Sequence, residues 1–298
     1  MAAPAPRLLP VAGAARLLCA GRALELQTAV VMGVLNVTPD SFSDGGLYLD
    51  PAAALAQAER MAEEGAAILD IGGESTRPGA APPDSEEELR RVLPVVERVA
   101  ARLGVLISID TSNPELMRRA ADAGAHLIND VRALRVPGAM EAAAAGNLGI
   151  CLMHMRGEPG NMQREPRYAQ VVVEVRAYLE ERVRDSIAAG IDPARLCVDP
   201  GFGFGKTAAH NLELLRHLEE FAPLQRPLCV GLSRKSFVTA LTGRAADQRL
   251  PGSLGLATVA VLRGARIVRA HDVAATVDAV RVANAMRPEW QPHPLHPH

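Results

Sequence analysis

The chain has 298 residues, a net charge of -2, 48% hydrophobic residues and only 3% aromatics. That length suits one α/β barrel of roughly 250 residues with terminal extensions, built on a core of Ala, Val, Leu and Ile. The near-neutral charge argues against a general nucleic-acid or anionic-membrane binder, and no apolar run reaches the ~18 residues of a membrane span.

The N-terminal stretch MAAPAPRLLPVAGAARLLCAG has its apolar run broken by Arg7, Pro10 and Arg16. It reads as an extension over residues 1–22 that leads into a short hairpin, not as a targeting peptide. AVVMGVL, from Ala29, is the first barrel strand, and NVTPDSFSDGG after it is a loop. Asp50-Pro51 opens a helix with Pro in its first turn. AAILDI is the second strand and GGESTRPGAAPPD a long loop, followed by a helix to about Leu103 with Ser85 and Glu88 as a capping box. VLISID is the third strand, and Thr111 or Ser112 is expected to cap the helix NPELMRRAADAG. HLIND, a helix around Gly138–Gly146, and LGICLMHM continue the alternation. A helix over about Tyr168–Ala189 stops at Gly190. RLCVDP and PLCVGL are the sixth and seventh strands, then SFVTALTG and SLGLATVAVLRG are helical. ARIVRAHD is the eighth strand and DVAATVDAVRVANAM the last helix. The Pro- and His-rich residues 288–298 read as a flexible tail.

Eight continuously apolar strands alternating with helices predict a TIM (β/α)8 barrel over residues 23–287, with strands buried on both faces. The loops after the strands then share one mouth. The first two are long, rich in Gly, Pro, Ser and Asp, and lack apolar periodicity, so they are expected to be mobile in the empty protein. None of the four cysteines forms a CxxC pair, and Cys151, Cys197 and Cys229 fall on strands. They read as reduced core thiols of a cytoplasmic protein.

Each strand ends in a polar cluster. Asn36 ends the first strand and should face the mouth, where one neutral oxygen suits Mg²⁺ that is otherwise held by substrate phosphate. Thr38, Asp40, Ser41, Ser43 and Asp44 follow it, although such residues also simply make turns. Thr76 and Arg77, set among glycines and Pro78, suggest a lid that closes on an anion. Asp70, Asp110, Asp130 and Asp199 lie near strand ends, with Asn129 beside Asp130. A carboxylate with an Asn amide can read the donor edge of a flat heterocycle. DPGFGFGKT falls one residue short of a phosphate-binding P-loop, so its glycines are read as letting a loop pass close over a ligand. SRKS and RAHD bring Ser233, Arg234, Lys235, Arg269 and His271 to the loops that often bind phosphate in barrels. Arg269 and His271 share one face of their strand as a diphosphate cradle, while Arg234 has a rim salt bridge as its plain alternative.

These clusters, in this order from about Val31 to Met286, resemble the dihydropteroate synthase family of folate biosynthesis. The resemblance implies an α/β barrel that joins 6-hydroxymethyl-7,8-dihydropterin diphosphate to 4-aminobenzoate, releasing 7,8-dihydropteroate and diphosphate. It implies that Asn36 binds Mg²⁺ with the diphosphate, and that Asp110, Asn129 and Asp199 hydrogen-bond the pterin with Met153 on its face. Lys235 would contact the ring, Thr76 would sit at the diphosphate end, and Arg269, Ala270 and His271 would hold the phosphates. Phe42, Arg77, Pro78 and Ser236 would shape the aminobenzoate site. Arg77, Asp110 and Lys235 are the expected catalytic groups, diphosphate leaves before the amine attacks, and a homodimer is expected. A methyltransferase on the same barrel would share the Asp and Asn positions without needing STRPGA, SRKS or RAHD. A non-catalytic pterin-binding paralogue would not need intact first and second loops.

Overall fold

The protein is described here by a computed structural model covering residues 15–37, 51–74, 84–157, 162 and 166–287. Phe42, Thr76, Arg77 and Pro78, the expected mobility of the first two loops, and both chain ends lie outside the described residues.

The chain enters through an antiparallel hairpin, β1 (Arg16–Cys19) and β2 (Arg22–Glu25), which spans position 22. Ala20 and Gly21 both take positive φ, the backbone that a tight two-residue hairpin turn needs. Leu17, Cys19, Leu24 and Leu26 pack on the barrel residues Met32, Ile68, Leu106, Leu127 and Ile267, so the hairpin plugs one end of the barrel.

The barrel strands are β3 (Val30–Asn36), β4 (Ile68–Gly72), β5 (Leu106–Asp110), β6 (Leu127–Asp130), β7 (Gly149–Met153), β8 (Leu196–Asp199), β9 (Cys229–Gly231) and β10 (Ile267–Ala270). All neighbours run parallel, in the order β8-β7-β6-β5-β4-β3-β10-β9. A parallel bridge between Val198 and Leu228 joins the two ends and closes the ring. The helices are α1 (Pro51–Glu63), α2 (Ser85–Arg102), α3 (Pro114–Asp122), α4 (Ala139–Ala145), α5 (Val171–Ala188), α6 (Ala208–Arg216), α7 (Ser236–Thr242), α8 (Leu250–Leu262) and α9 (Val273–Ala285). Strand residues such as Leu69, Ile71, Ile107, Ile109, Ile150 and Val198 face these helices in the main apolar core. This is the predicted TIM barrel with its N-terminal hairpin.

Two helix starts differ from the sequence expectation. Asp84 caps α2 by accepting from the Glu87 amide at 2.7 Å. Glu88 is drawn inward instead, accepting from the Thr111 hydroxyl at 2.6 Å and the Asn113 amide at 3.1 Å. It thus ties α2 to the start of α3 and closes no capping box. Asn113, not Thr111 or Ser112, caps α3, because Pro114 fixes the first helical position. All four cysteines are free and buried, and burial pushes the Cys19 thiol up to about 12.

Candidate active site

Strand register sets the site. Asn36, Gly72, Asp110 and Asn129 pair side by side across β3, β4, β5 and β6, and Met153 pairs with Asp199 across β7 and β8. These residues end their strands, Asn129 one position short, so the row lies at the barrel mouth. A Cβ on Gly72 would come within 3.3 Å of the Asp110 Cβ, so glycine leaves that carboxylate room.

Asp70 sits one inward-facing position deeper and is fully buried. Its Oδ2 accepts from Arg269 Nε at 2.6 Å and from Asn129 Nδ2 at 3.0 Å. Arg269 also donates through Nη2 to Asp110 Oδ2 at 2.7 Å. Burial pushes Asp110 up to about 7; Arg269 works against this, and the nearby Asp70 and Glu74 charges add to it. For Arg269, burial disfavours the charge, but Asp70 and Asp110 outweigh it and raise its pKa further.

Asp199 ends β8 and accepts from the Gly201 amide at 2.7 Å. Burial pushes it up to about 6, opposed by that hydrogen bond and by Lys235. Lys235 stands just before α7, with Nζ 4.2 Å from the centre of the Phe204 ring. Burial, with Arg269 beside it, holds this amine down at about 8. Met153 joins Val131, Met155, Met162 and Phe204 in a separate apolar cluster at the same mouth. Asp110, Asn129, Asp199 and Lys235 thus gather at the mouth beside an apolar cluster, an arrangement that suits a flat ring whose edge donates hydrogen bonds.

His271 follows β10. Its backbone N–H donates to the Ser233 hydroxyl at 3.2 Å, and its Nδ1 lies 3.2 Å from the same oxygen. Burial and the neighbouring Arg269, Arg234 and Lys235 hold it down at about 4, so at neutral pH it offers hydrogen bonds and no charge. Ala270 between them is buried, and Ser236 is exposed at the start of α7. Asn36 is partly exposed at the end of β3.

Two residues do not join the cluster. Arg234 pairs with Asp272 at 2.5 Å on the rim, its plain alternative. Asp130 is consumed by a turn, accepting from the Ser112 hydroxyl at 2.5 Å and the Arg132 and Leu134 amides. The glycines after Asp199 allow close approaches within the protein itself. A Cβ on Gly201 would lie 1.9 Å from the His154 carbonyl oxygen, and one on Gly205 2.3 Å from that of Arg156. A Cβ on Gly203 would meet Lys235 Cδ at 3.0 Å, while Gly201 and Gly205 let this loop pack on the loop after β7. Lys206 pins the two together: its buried Nζ lies 2.9 Å from His154 Nδ1, 2.8 Å from the Gly201 oxygen and 3.0 Å from the Phe204 oxygen. The sequence marks Asp70 only as one of four strand-end carboxylates, without its bracing role, and gives Phe204 and Lys206 no role at the site. The glycine-rich spacing around Phe204 and Lys206 was the one available signal.

Residues 32–271 match the pterin binding enzyme family. The chain is 51% identical over 270 residues to the dihydropteroate synthase of Escherichia coli strain K12, covering 91% of this chain and 96% of that one. A Xanthomonas albilineans dihydropteroate synthase solved with 4-aminobenzoic acid is 52% identical, with a TM-score of 0.86 over 92% of this chain and 99% of that one. The same organism's enzyme in complex with 7,8-dihydropteroate has a TM-score of 0.83 at 50% identity, over 92% of this chain and 99% of that one. The chain belongs to the pterin-binding enzymes and, within them, to the dihydropteroate synthase family.

Proposed function

We propose that this chain condenses 6-hydroxymethyl-7,8-dihydropterin diphosphate with 4-aminobenzoate, giving 7,8-dihydropteroate and diphosphate. The observation that carries the reading is the acceptor set of partly buried Asp110 with buried Asn129 and Asp199, beside Lys235 and the Met153 wall, in a chain about half identical to such synthases. Asp110 and Asp199 accept from the pterin's donor edge. Their negative charge favours the cationic character that the ring gains as the bond from its methylene carbon to the diphosphate oxygen breaks. Lys235 holds the ring, and Met153 packs on its face. Arg269, Ala270 and His271 take the departing diphosphate with Thr76. The aniline nitrogen of 4-aminobenzoate, positioned by Phe42, Arg77, Pro78 and Ser236, then forms the new carbon–nitrogen bond and releases a proton.

Among the described residues no cluster of three His, Cys, Asp or Glu side chains could hold a metal. A single neutral oxygen on Asn36 at the mouth fits a cation that draws its other ligands from diphosphate and water, which is the habit of Mg²⁺. When bound there, Mg²⁺ would neutralise the leaving diphosphate. Exposed Val259 on α8 and Val282 on α9, with Met286 just beyond it, support a homodimer through this flank. Four reduced buried thiols support a cytoplasmic setting. The test is steady-state formation of 7,8-dihydropteroate from the two purified substrates, with and without Mg²⁺. Turnover that collapses with a chelator and returns with Mg²⁺ is expected; no product under any condition would overturn the proposal.

A further inference from the structure

We infer that Asp70 is a positioning residue that fixes which face of the Asn129 amide reads the ring and where the Arg269 charge stands. This rests on the pterin reading of the same site. The Asp70 carboxylate is fully buried and does not face the mouth. One oxygen, Oδ2, serves both Asn129 Nδ2 at 3.0 Å and Arg269 Nε at 2.6 Å. An ionised carboxylate only accepts hydrogen bonds. It therefore holds the NH₂ end of Asn129 down toward itself and leaves the carbonyl end for the mouth. Flipping that amide would set carbonyl oxygen against carboxylate oxygen. Asn129 is thus displayed as an acceptor, in line with Asp110 on the next strand. A ring edge made of donors fits that row, and one made of acceptors is refused. The other Asp70 oxygen, Oδ1, is buried with no hydrogen-bond partner among the described residues. The position is thus maintained at the cost of an unsatisfied acceptor, which marks it as more than packing.

The same carboxylate bears on Arg269. The guanidinium reaches from Asp70 up to Asp110. Asp70 anchors its Nε inside the barrel, so the remaining donors can only swing about that point between Asp110 and an anion at the mouth.

The experiment is calorimetric titration of the full chain with a pterin lacking diphosphate and, separately, with inorganic diphosphate and Mg²⁺. Wild type must bind the pterin, and failure there would sink the proposed function itself, not this inference. Asp70→Ala is expected to weaken the pterin at least ten-fold. Adding Asn129→Ala to it should cost less than a further two-fold, because Asn129 is already misplaced. Independent, multiplying losses would show that Asp70 does not act through Asn129 and would overturn the inference. Asp70→Asn is the isosteric second variant, used if the alanine variant does not fold. Its amide oxygen can still accept from Asn129, so pterin binding should stay within about three-fold. Arg269 loses one of its two opposing charges, so inorganic diphosphate should bind at least five-fold tighter. Unchanged diphosphate affinity, or a pterin loss as large as that of the Asn129→Ala single variant, would overturn it.

Discussion

Replacing Lys206 with methionine removes the pin between the loops after β7 and β8 while keeping most of the side chain's volume. In the native protein Nζ contacts the Gly201 oxygen at 2.8 Å, His154 Nδ1 at 2.9 Å and the Phe204 oxygen at 3.0 Å. His154 Nδ1 and the Phe204 oxygen lose their donor, while the Gly201 oxygen keeps the Phe204 N–H at 3.1 Å; an orphaned buried acceptor costs about 1–3 kcal/mol. Removing a desolvated amine, whose pKa burial holds well below its usual value, offsets part of this. A net loss of about 2–4 kcal/mol from the two orphaned acceptors is the expectation. Unfolding entropy of about 2.1 cal/mol/K per residue over 298 residues converts that to a melting point lower by about 3–6 °C. The loop so loosened starts from Asp199 at the end of β8 and carries Phe204, so pterin affinity should fall several-fold at temperatures where the variant remains folded. Thermal unfolding and pterin titration on the same preparation check both effects. A melting point within about 1 °C of wild type would refute the hydrogen-bond accounting. Unchanged pterin affinity in a destabilised variant would refute the link between Lys206 and the site.

Asp110 pushed up to about 7 and Asp199 to about 6 make pterin binding pH-dependent. Protonation turns an acceptor into a donor, so affinity should fall as pH drops through these values, by at least ten-fold between about pH 7.5 and 5.5; a flat profile over that range in isothermal titrations contradicts the acceptor role. Arg269→Ala should weaken the diphosphate ester more than a pterin without diphosphate. It should also move the acid limb of pterin binding to higher pH, since Asp70 and Asp110 then repel without a cation between them; an unmoved limb means that Arg269 does not set the Asp110 charge. Gly201→Ala, at φ +69 with a Cβ 1.9 Å from the His154 oxygen, should abolish pterin binding or folding. Gly21→Ala, at φ +77 with open space around it, should cost only the left-handed strain of about 1–2 kcal/mol in denaturant unfolding. Equal losses for the two glycines would mean that the loop contact is not what selects Gly201.

The barrel and the mouth were legible because their signals are local. Apolar runs of strand length, each ended by polar residues and followed by a helix start, reveal both the topology and the face that carries chemistry. Partnerships were less legible. Asp70 pairs with a residue 199 positions away, and a strand-end aspartate has the same local appearance whether it braces a site, as Asp70 does, or closes a turn, as Asp130 does. The caps of α2 and α3 were misread for a related reason. Ser85 with Glu88, and Thr111 or Ser112, satisfy the capping pattern, but Glu88 on α2 and Thr111 after β5 bond to each other instead. Glycines in DPGFGFGK announce a close approach without saying to what, and here it is to backbone oxygens of the preceding loop.

The arrangement explains how a site for a charged, polar substrate remains buried when empty. Three carboxylates, Asp70, Asp110 and Asp199, face two cations, Arg269 and Lys235, in a small volume. Left apart, each would carry a desolvation cost of several kcal/mol. Paired, they offset one another's charge, and burial shifts Asp110 up to about 7, Asp199 up to about 6 and Lys235 down to about 8. A donor-edged ring carrying a diphosphate offers partners of both kinds: donors for Asp110 and Asp199, and phosphate oxygens for Arg269. Neither half alone does so. A pterin without diphosphate must still draw Asp110 away from Arg269, and diphosphate alone must draw Arg269 away from Asp110. The intact ester satisfies both groups when they separate, so its two halves should bind with positive coupling through the Arg269–Asp110 contact.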